Sequence, residues 1–333
     1  MGKKNVALFT CTNGYGHIKR LLLLSEALNY SGVNTVLFTP KSCAKLIAKK
    51  EGISTFNIVD FDTHTRKQDW LDESATKWIK LAPNLSKFDI VVSDNLIEIL
   101  YIRPDAWLSG SFFWHDALDC FPVNLKEQSL ALLKKYKPKM ISSKLFTSDQ
   151  LKAHVELYEV GLYSSNLFYN SSDSKKDALI ACGFGGAVKN EASRFVANLA
   201  KEEKTNFNQV WVEPDILPIN HPDWMIPATF TEEMYKKILV SIIRPGVGTI
   251  TNSLSTGARI FPFFEYENFE MTLNASKIYS AGIADKTFSI AEAWSQAEKY
   301  RVNYDLQKIH NKKLKFLDFD GANQAAKIIL SES

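Results

Sequence analysis

Short apolar runs alternate with amphipathic segments through the first half of the chain. The runs are rich in β-branched and aromatic residues, which is typical of buried strands. The segments between them, such as 17–29 and 41–50, carry apolar residues at helical spacing. Strand, helix, strand in this rhythm predicts a parallel sheet with helices on both faces. The predicted strands are VALFT (6–10), NTVLFT (34–39), STFNIV (54–59), FDIVVSD (88–94) and AWLSGSFFW (106–114).

The same alternation starts again in the second half. ALIACGFGG (178–186) predicts a strand that runs into a glycine-rich turn, and residues 190–202 predict a helix. QVWVE (209–213) predicts a strand, EEMYKKIL (232–239) a helix, and residues 240–264 a strand, a turn, a helix and a strand. The tail, 290–331, is predicted to be mostly helical.

The stretch between the two halves lacks periodicity. Residues 161–177 are rich in serine, asparagine and charge, which indicates an interdomain linker. We therefore predict a doubly wound α/β domain over 1–160 and a second one over 178–310. The helical tail, 311–333, could pack back on the first domain. Since ligands of such sheets bind beyond the carboxyl ends of the strands, we expect the two domains to face a cleft.

Composition narrows the class of protein. A length of 333 residues fits two domains, and 45% hydrophobic content with mixed charge describes a globular chain. The formal net charge of +3 gives no reason to expect nucleic acid as a partner. Four scattered cysteines suit a reducing compartment, and no run reaches the roughly 20 apolar residues of a membrane span. We expect a cytoplasmic protein and leave peripheral association with a membrane open.

Three glycine-rich turns follow predicted strands, at 12–20, 182–190 and 244–253. Glycine allows a backbone to approach an anion closely, and free N–H groups at a helix start favour phosphate oxygens. None of the turns fits the dinucleotide fingerprint or the Walker pattern, which disfavours hydride transfer and P-loop chemistry. A tight strand-to-helix connection stays open as the alternative for each turn.

The third turn carries the most information. Gly246 and Gly248 offer close approach at a helix start, and the loop after the next strand holds four polar residues. Carboxylates are poor phosphate ligands but good acceptors for sugar hydroxyls, so a diphosphate-linked sugar fits both groups of residues. A solvated acidic loop is the alternative. The polar residues of the loop are Glu265, Glu267, Asn268 and Glu270.

Residues 180–282 resemble the nucleotide-sugar site of glycosyltransferases with the GT-B architecture, two Rossmann-like domains facing a cleft, and the similarity is strongest over 244–282. The similarity is to the peptidoglycan N-acetylglucosaminyltransferases, which act in cell-envelope glycan biosynthesis, and to the UDP-glycosyltransferases. The resemblance implies three sets of donor-binding residues. For the diphosphate they are Gly185, Gly186, Arg244, Gly246, Val247, Gly248 and Thr249, for the base and ribose Phe230 and Asn252, and for the sugar Glu270 and Met271. Asn252 replaces the glutamate of the family, and Met271 replaces its glutamine.

The first turn matches the G-x-G-H turn of the same families. There the histidine takes a proton from the acceptor hydroxyl, so His17 is the implied catalytic base. Asp94 ends a strand and could orient His17, because both residues follow strand carboxyl ends. Gly14, Gly16 and His115 are expected on the acceptor side. The aromatic residues 112–114 either stack on an acceptor or are buried.

The implied reaction is an inverting single displacement from a nucleotide-diphosphate sugar, with UDP expected, to a glycan or lipid-linked acceptor. We expect neither a metal nor another cofactor, because no spacing of metal ligands is visible. Two alternatives stay open. The stretch 14–20 and the four leucines that follow it, GYGHIKRLLLL, also resemble the start of the nucleotide-sugar hydrolases of pseudaminic acid synthesis, in which the histidine activates water. A binding protein without catalytic activity is the third reading.

Overall fold

The computed structural model describes residues 3–63, 76–118, 121–165, 175–183 and 186–333. Several sequence predictions fall outside these ranges. They concern Gly185 and most of the linker (166–174). The described residues form two compact units, one of residues 1–165 with 320–333 and one of residues 166–319.

Each unit is built on one parallel sheet. The first sheet has the strands β1 Asn5–Phe9, β2 Asn34–Thr39, β3 Asn57–Asp60, β4 Ile90–Asp94, β5 Trp107–Ser109, β6 Lys139–Ser143 and β7 Glu156–Val160. Its order is β3-β2-β1-β4-β5-β6-β7. The second sheet has β8 Asp177–Ala181, β9 Val210–Val212, β10 Met225–Pro227, β11 Ile238–Ile243 and β12 Arg259–Pro262, in the order β10-β9-β8-β11-β12.

Helices connect the strands of both sheets. In the first unit they are α1 Tyr15–Tyr30, α2 Lys41–Glu51, α3 Lys77–Leu81, α4 Trp114–Ala117 and α5 Val123–Tyr136. In the second they are α6 Gly186–Leu199, α7 Glu232–Tyr235, α8 Val247–Ser255, α9 Phe269–Ser280, α10 Ile290–Val302 and α11 Tyr304–Leu314, and α12 Gly321–Ser331 belongs to the first unit. The predicted fold class, two doubly wound α/β domains, is confirmed.

The core of the first unit explains why its last helix returns to it. Leucines and isoleucines of α1 form one buried cluster with the apolar face of α12, including Ala325 and Ile329. The chain re-enters this unit beside the point where it leaves, because Tyr163 and Asp320 form an antiparallel bridge. The Gly321 N–H donates to the Leu162 carbonyl at 3.0 Å.

Two predicted elements end earlier than expected. The run 106–114 was predicted as one strand, but β5 ends at Ser109 and residue 114 already begins α4. The chain turns at Gly110, whose φ of 153° an L side chain rarely adopts. The helix predicted over 232–239 ends at Tyr235, because the apolar run that follows forms β11, buried along its whole length. Strands β6, β7 and β10 were not predicted.

Strand order decides where ligands can bind. In each sheet the chain first adds strands on one side of its first strand and then adds strands on the other side. The connections therefore diverge between β1 and β4 in the first sheet and between β8 and β11 in the second. Such a switch point leaves a crevice at the carboxyl ends of the two strands. His17 lies in the helix that follows β1, and Asp94 is the last residue of β4. The turn that begins at 182 follows β8, and the turn at 244–246 follows β11.

Gly110→Ala is expected to destabilise the first unit. A Cβ at this position would lie 1.8 Å from Asn95 Oδ1 and would keep the unfavourable φ. We expect the free energy of unfolding to fall by about 2 kcal/mol or more, measured by urea denaturation. Gly16→Ala is the matched control, because no atom lies within 4 Å of a Cβ there. Equal stability of the two variants would contradict the requirement for glycine at 110.

Candidate functional site

The first candidate site lies at the β1/β4 switch point. β1 pairs with β4, so the loop after β1 brings the first turn of α1 over the end of β4, where Asp94 is fully buried. His17 Nδ1 and Asp94 Oδ1 are 2.8 Å apart. The predicted contact between these two side chains is therefore present.

Arg20 joins this pair from the next turn of α1. Its Nε donates to Asp94 Oδ2 at 2.6 Å, and its Nη2 donates to Asp94 Oδ1 at 2.7 Å. The side chains of residues three apart on a helix lie on the same face, which is why His17 and Arg20 reach one carboxylate. No role for Arg20 was predicted from the sequence, although its spacing of three residues from His17 was the available signal.

The buried charge of Asp94 sets the protonation of its neighbours. Burial alone would raise the pKa of Asp94, but the Arg20 guanidinium and the His17 hydrogen bond outweigh it and hold that pKa below its usual range. A carboxylate only accepts hydrogen bonds, so His17 donates through Nδ1–H. Nε2 then carries the lone pair, and no described residue hydrogen-bonds to it.

The remaining residues of the first turn have separate positions. Gly14 precedes α1 with a φ of 118°, and Gly16 is exposed in its first turn. Lys19, in contrast, is buried and forms an ion pair with Glu51 at 2.8 Å. The two cations of this turn are thus both engaged within the unit, Lys19 with α2 and Arg20 with β4.

His115 belongs to an aromatic cluster beside this site. Its ring stacks on Phe113 at 5.3 Å, and the neighbouring Trp114 ring lies 6.2 Å from that of His17. Burial lowers the pKa of His115. The Asp116 carboxylate opposes this shift, and the positive charges of His154 and Lys126 add to it. The aromatic residues 112–114 are buried, so the buried alternative is confirmed for them.

The second candidate site lies at the β8/β11 switch point. Here α8 begins directly after β11, with Gly246 before it and no side-chain cap on its first turn. The half-exposed Val247, Gly248 and Thr249 form that turn, and Asn252 follows one turn later, largely buried. The first N–H groups of a helix have no partner within it, so this turn can bind an anion.

Carboxylates of the unit itself occupy the neighbouring turn. Glu213 Oε2 accepts from the N–H groups of Cys182 and Gly183, at 2.7 and 2.8 Å. Arg244, a predicted diphosphate ligand, donates through Nε to Glu265 at 3.0 Å. Burial would raise the pKa of Glu265, but backbone N–H groups, including that of Val188 at the start of α6, and Arg244 lower it. The sequence analysis missed Glu213 because only the paired strands β8 and β9 bring it to this turn.

Helix α9 is anchored beside the start of α8. Asn274 is fully buried, and its Nδ2 donates to the Pro245 carbonyl at 2.9 Å. Asn268 caps α9 by accepting from the Met271 N–H at 3.1 Å. Glu270 is half-exposed in the first turn, whereas the Met271 side chain packs in an apolar cluster with Phe264 and Ala275.

Phe230 lies in the loop between β10 and α7 with a φ of 55°. This left-handed conformation is rare for a bulky residue and costs free energy. Such strain persists where the surrounding structure fixes the backbone, and it is frequent at ligand-binding loops.

Among the described residues, no group of three or more His, Cys, Asp and Glu is arranged to hold a metal ion, and no helix is long and apolar enough to cross a membrane.

Comparison with known proteins gives a fold. No protein-family model and no curated protein matches the chain by sequence. The glycotransferase of kitacinnamycin superposes with a TM-score of 0.68 at 12% identity, over all of both chains. CalG4, the calicheamicin glycosyltransferase, gives 0.65 at 13% over 99% of this chain and 98% of that one. An anthocyanidin 3-O-glucosyltransferase in complex with UDP gives 0.63 at 13% over 99% of each chain.

The chain has the GT-B fold. At these identities the likeness is one of fold, and it confirms the two Rossmann-like domains that the resemblance implied. The narrower resemblances, to the peptidoglycan N-acetylglucosaminyltransferases and to the pseudaminic acid hydrolases, stay predictions.

Asp94→Asn is expected to lower stability at neutral pH and by a smaller amount in acid. The folded-state pKa of Asp94 lies below its unfolded value, so its contribution is present above about pH 4 and is lost as the pH falls further. Removing one partner of a buried ion pair costs about 3–5 kcal/mol. Urea denaturation at pH 7 and pH 3 measures this difference.

The matched control for Asp94→Asn is Asp105→Asn. Asp105 also pairs with an arginine, Arg103, at 2.6 Å, but its side chain is 68% exposed. Its loss is expected to cost at most about 1 kcal/mol. An equal loss for Asp94→Asn at both pH values would show that the charge of Asp94 is not the cause.

Proposed function

We propose that the protein is a glycosyltransferase that moves a sugar from a nucleotide-diphosphate donor, with UDP as the nucleotide, to an acceptor hydroxyl. The observation that carries this proposal is the hydrogen bond that His17 Nδ1–H donates to buried Asp94, which leaves Nε2 as a proton acceptor. The GT-B fold, shared with glycosyltransferases of which one was solved with UDP, supports it.

In this mechanism His17 acts as the general base of a single displacement. Nε2 takes the proton of the acceptor hydroxyl while its oxygen attacks the anomeric carbon, and the nucleotide diphosphate leaves from the opposite side with inversion. Asp94 holds the imidazole ring and stabilises the imidazolium that forms. An imidazole suits this task because it exchanges protons near neutral pH.

The second unit would bind the donor. The uncapped start of α8 faces the diphosphate, with N–H groups of Val247, Gly248 and Thr249 as donors to its oxygens. These groups and the helix dipole stabilise the charge on the leaving diphosphate, and the proposal therefore needs no metal ion. The turn after β8 contributes less, because Glu213 already accepts its first N–H groups.

Recognition of the sugar and the base is assigned to two further elements. Glu270, in the first turn of α9, is proposed to accept hydrogen bonds from sugar hydroxyls, while Met271 supports its helix from the apolar cluster. The backbone of the loop at Phe230 is proposed to read the base, and Asn252 to contact the ribose. The acceptor is proposed to be a glycan or a lipid-linked glycan, bound on the side of Gly14, Gly16 and His115.

A nucleotide-sugar hydrolase is the second candidate. Arg20, which belongs to the hydrolase-like stretch 14–20, is hydrogen-bonded to Asp94 and is therefore part of the same site. In that reaction His17 would activate water instead of an acceptor hydroxyl. The same donor bond breaks in both reactions, and only the nucleophile differs.

His17→Ala is expected to lower turnover of the donor by about 10²- to 10⁴-fold and to leave donor binding nearly unchanged. UDP-sugars are incubated with a panel of saccharide and lipid-linked acceptors, in EDTA, and released UDP is measured. His221→Ala, which removes an exposed histidine of the second unit, is the matched control and should keep full turnover.

The same incubation without acceptor separates the candidates. Release of UDP that depends on an acceptor supports the transferase, and equally fast release in its absence supports the hydrolase. Binding of a donor without turnover under either condition would support a binding protein and contradict both enzymes. Full turnover by His17→Ala would remove this residue as the base.

Gly246→Ala is expected to weaken donor binding at little cost in stability. No atom lies within 4 Å of a Cβ at this position, so the free protein accommodates it, with a cost of at most about 1 kcal/mol for the altered helix cap. The added methyl group would stand before the N–H groups of α8. In a thermal-shift titration, the Tm increase produced by UDP should become much smaller than in the wild type. An unchanged UDP response would place the diphosphate elsewhere.

A further inference from the structure

We infer that Arg20 is a positioning residue of the His17–Asp94 pair: its guanidinium fixes the carboxylate and counters its charge, so that His17 stays a neutral base to lower pH than in a pair without arginine. This rests on the proposed function, in which His17 is the base. Arg20 itself would touch neither substrate nor reacting atoms.

The first support is the geometry of the carboxylate. Arg20 donates to both oxygens of Asp94, through Nε to Oδ2 at 2.6 Å and through Nη2 to Oδ1 at 2.7 Å. Two parallel hydrogen bonds from one planar guanidinium define the orientation of the carboxyl plane. The His17 Nδ1–H donates to the same Oδ1, at 2.8 Å. The direction of the imidazole ring therefore depends on a carboxylate that Arg20 holds in place.

The second support is the short distance between the Arg20 guanidinium and the His17 imidazole. Arg20 Nη2 and His17 Nδ1 are 3.2 Å apart, and both are directed at Asp94. Because Nδ1–H is a donor in this arrangement, this approach is a contact of two donors and not a hydrogen bond. Protonation of Nε2 would place a second positive charge beside the guanidinium, with one carboxylate between them. Arg20 thus opposes the protonation that Asp94 alone would favour.

Among the described residues, a further titratable group near this cluster comes from the segment after β7. Tyr163 is buried and interacts electrostatically with Arg20 and Asp94. Burial raises its pKa, so its phenol stays neutral over the working pH range. Lys19, next to the pair on α1, has its charge balanced by Glu51. Within the described residues, the charged groups in contact with the His17 ring are therefore Asp94 from β4 and Arg20 from α1.

The test separates the effect of the positive charge of Arg20 from the effect of its two parallel hydrogen bonds to Asp94. The protonation midpoint of His17 is followed by NMR through its imidazole Cε1–H signal, identified by its loss in His17→Ala, in the full-length protein without substrate. In Arg20→Gln we expect the midpoint to rise by about one unit or more, because the carboxylate is no longer countered. Arg20→Lys keeps the charge, so its midpoint should stay near that of the wild type.

Turnover gives the second readout. Arg20→Lys loses the bidentate fork and should turn the donor over about 10- to 100-fold more slowly, with KM for the donor unchanged. Lys45→Gln, which removes one exposed positive charge from α2, is the control and should change neither readout.

Two results would overturn the inference. One is an unchanged midpoint in folded Arg20→Gln, and the other is wild-type turnover in Arg20→Lys, which carries the test alone if the glutamine variant does not fold. The NMR titration needs no donor or acceptor. If the protein shows neither transferase nor hydrolase activity, the proposed function is refuted. A raised midpoint in Arg20→Gln would still support the effect of Arg20 on His17.

Discussion

The pairing of the first strand of each unit with a strand that comes much later in the chain is the constraint on which both sites depend. β1 lies between β2 and β4, and β8 lies between β9 and β11. Because every strand is parallel to its neighbours, the helices that follow β1 and β11 begin at the carboxyl edges of their sheets. The two elements with chemical potential, the His17 turn and the start of α8, are placed by this winding and not by local sequence alone.

Burial of Asp94 then dictates the details of the first site. A carboxylate without exposed surface is costly unless it is hydrogen-bonded and its charge is balanced. His17 and Arg20 supply both, and this ties the first two turns of α1 to the end of β4. In the second unit the carboxylates are the partners that other groups require. Glu213 accepts from backbone N–H groups, and Glu265 accepts from an arginine and balances its charge. Opposite charges thus organise the two switch points.

Periodicity predicted the strands and helices around each glycine-rich turn, because a buried strand and an amphipathic helix carry their pattern locally. It failed at 106–114, where the apolar run continues through the Gly110 turn into α4 and burial alone does not distinguish strand from helix. The contact of His17 with Asp94 was predictable from two strand ends. For Arg20 the only signal was its spacing of three residues from His17 on α1. The part played by Glu213 had no such local signal, since only the pairing of β8 with β9 brings it to the turn after β8.

The bridge between Tyr163 and Asp320 has a topological consequence. The second unit is an insertion within the first: it leaves and returns through two neighbouring segments, held together by the hydrogen bond from Gly321 to Leu162. The first unit is therefore nearly continuous without it. A short turn would close its chain there. Because the two ends are adjacent, replacing the inserted unit by such a turn costs little loop-closure entropy. Architecturally, the molecule is one doubly wound domain that hosts another.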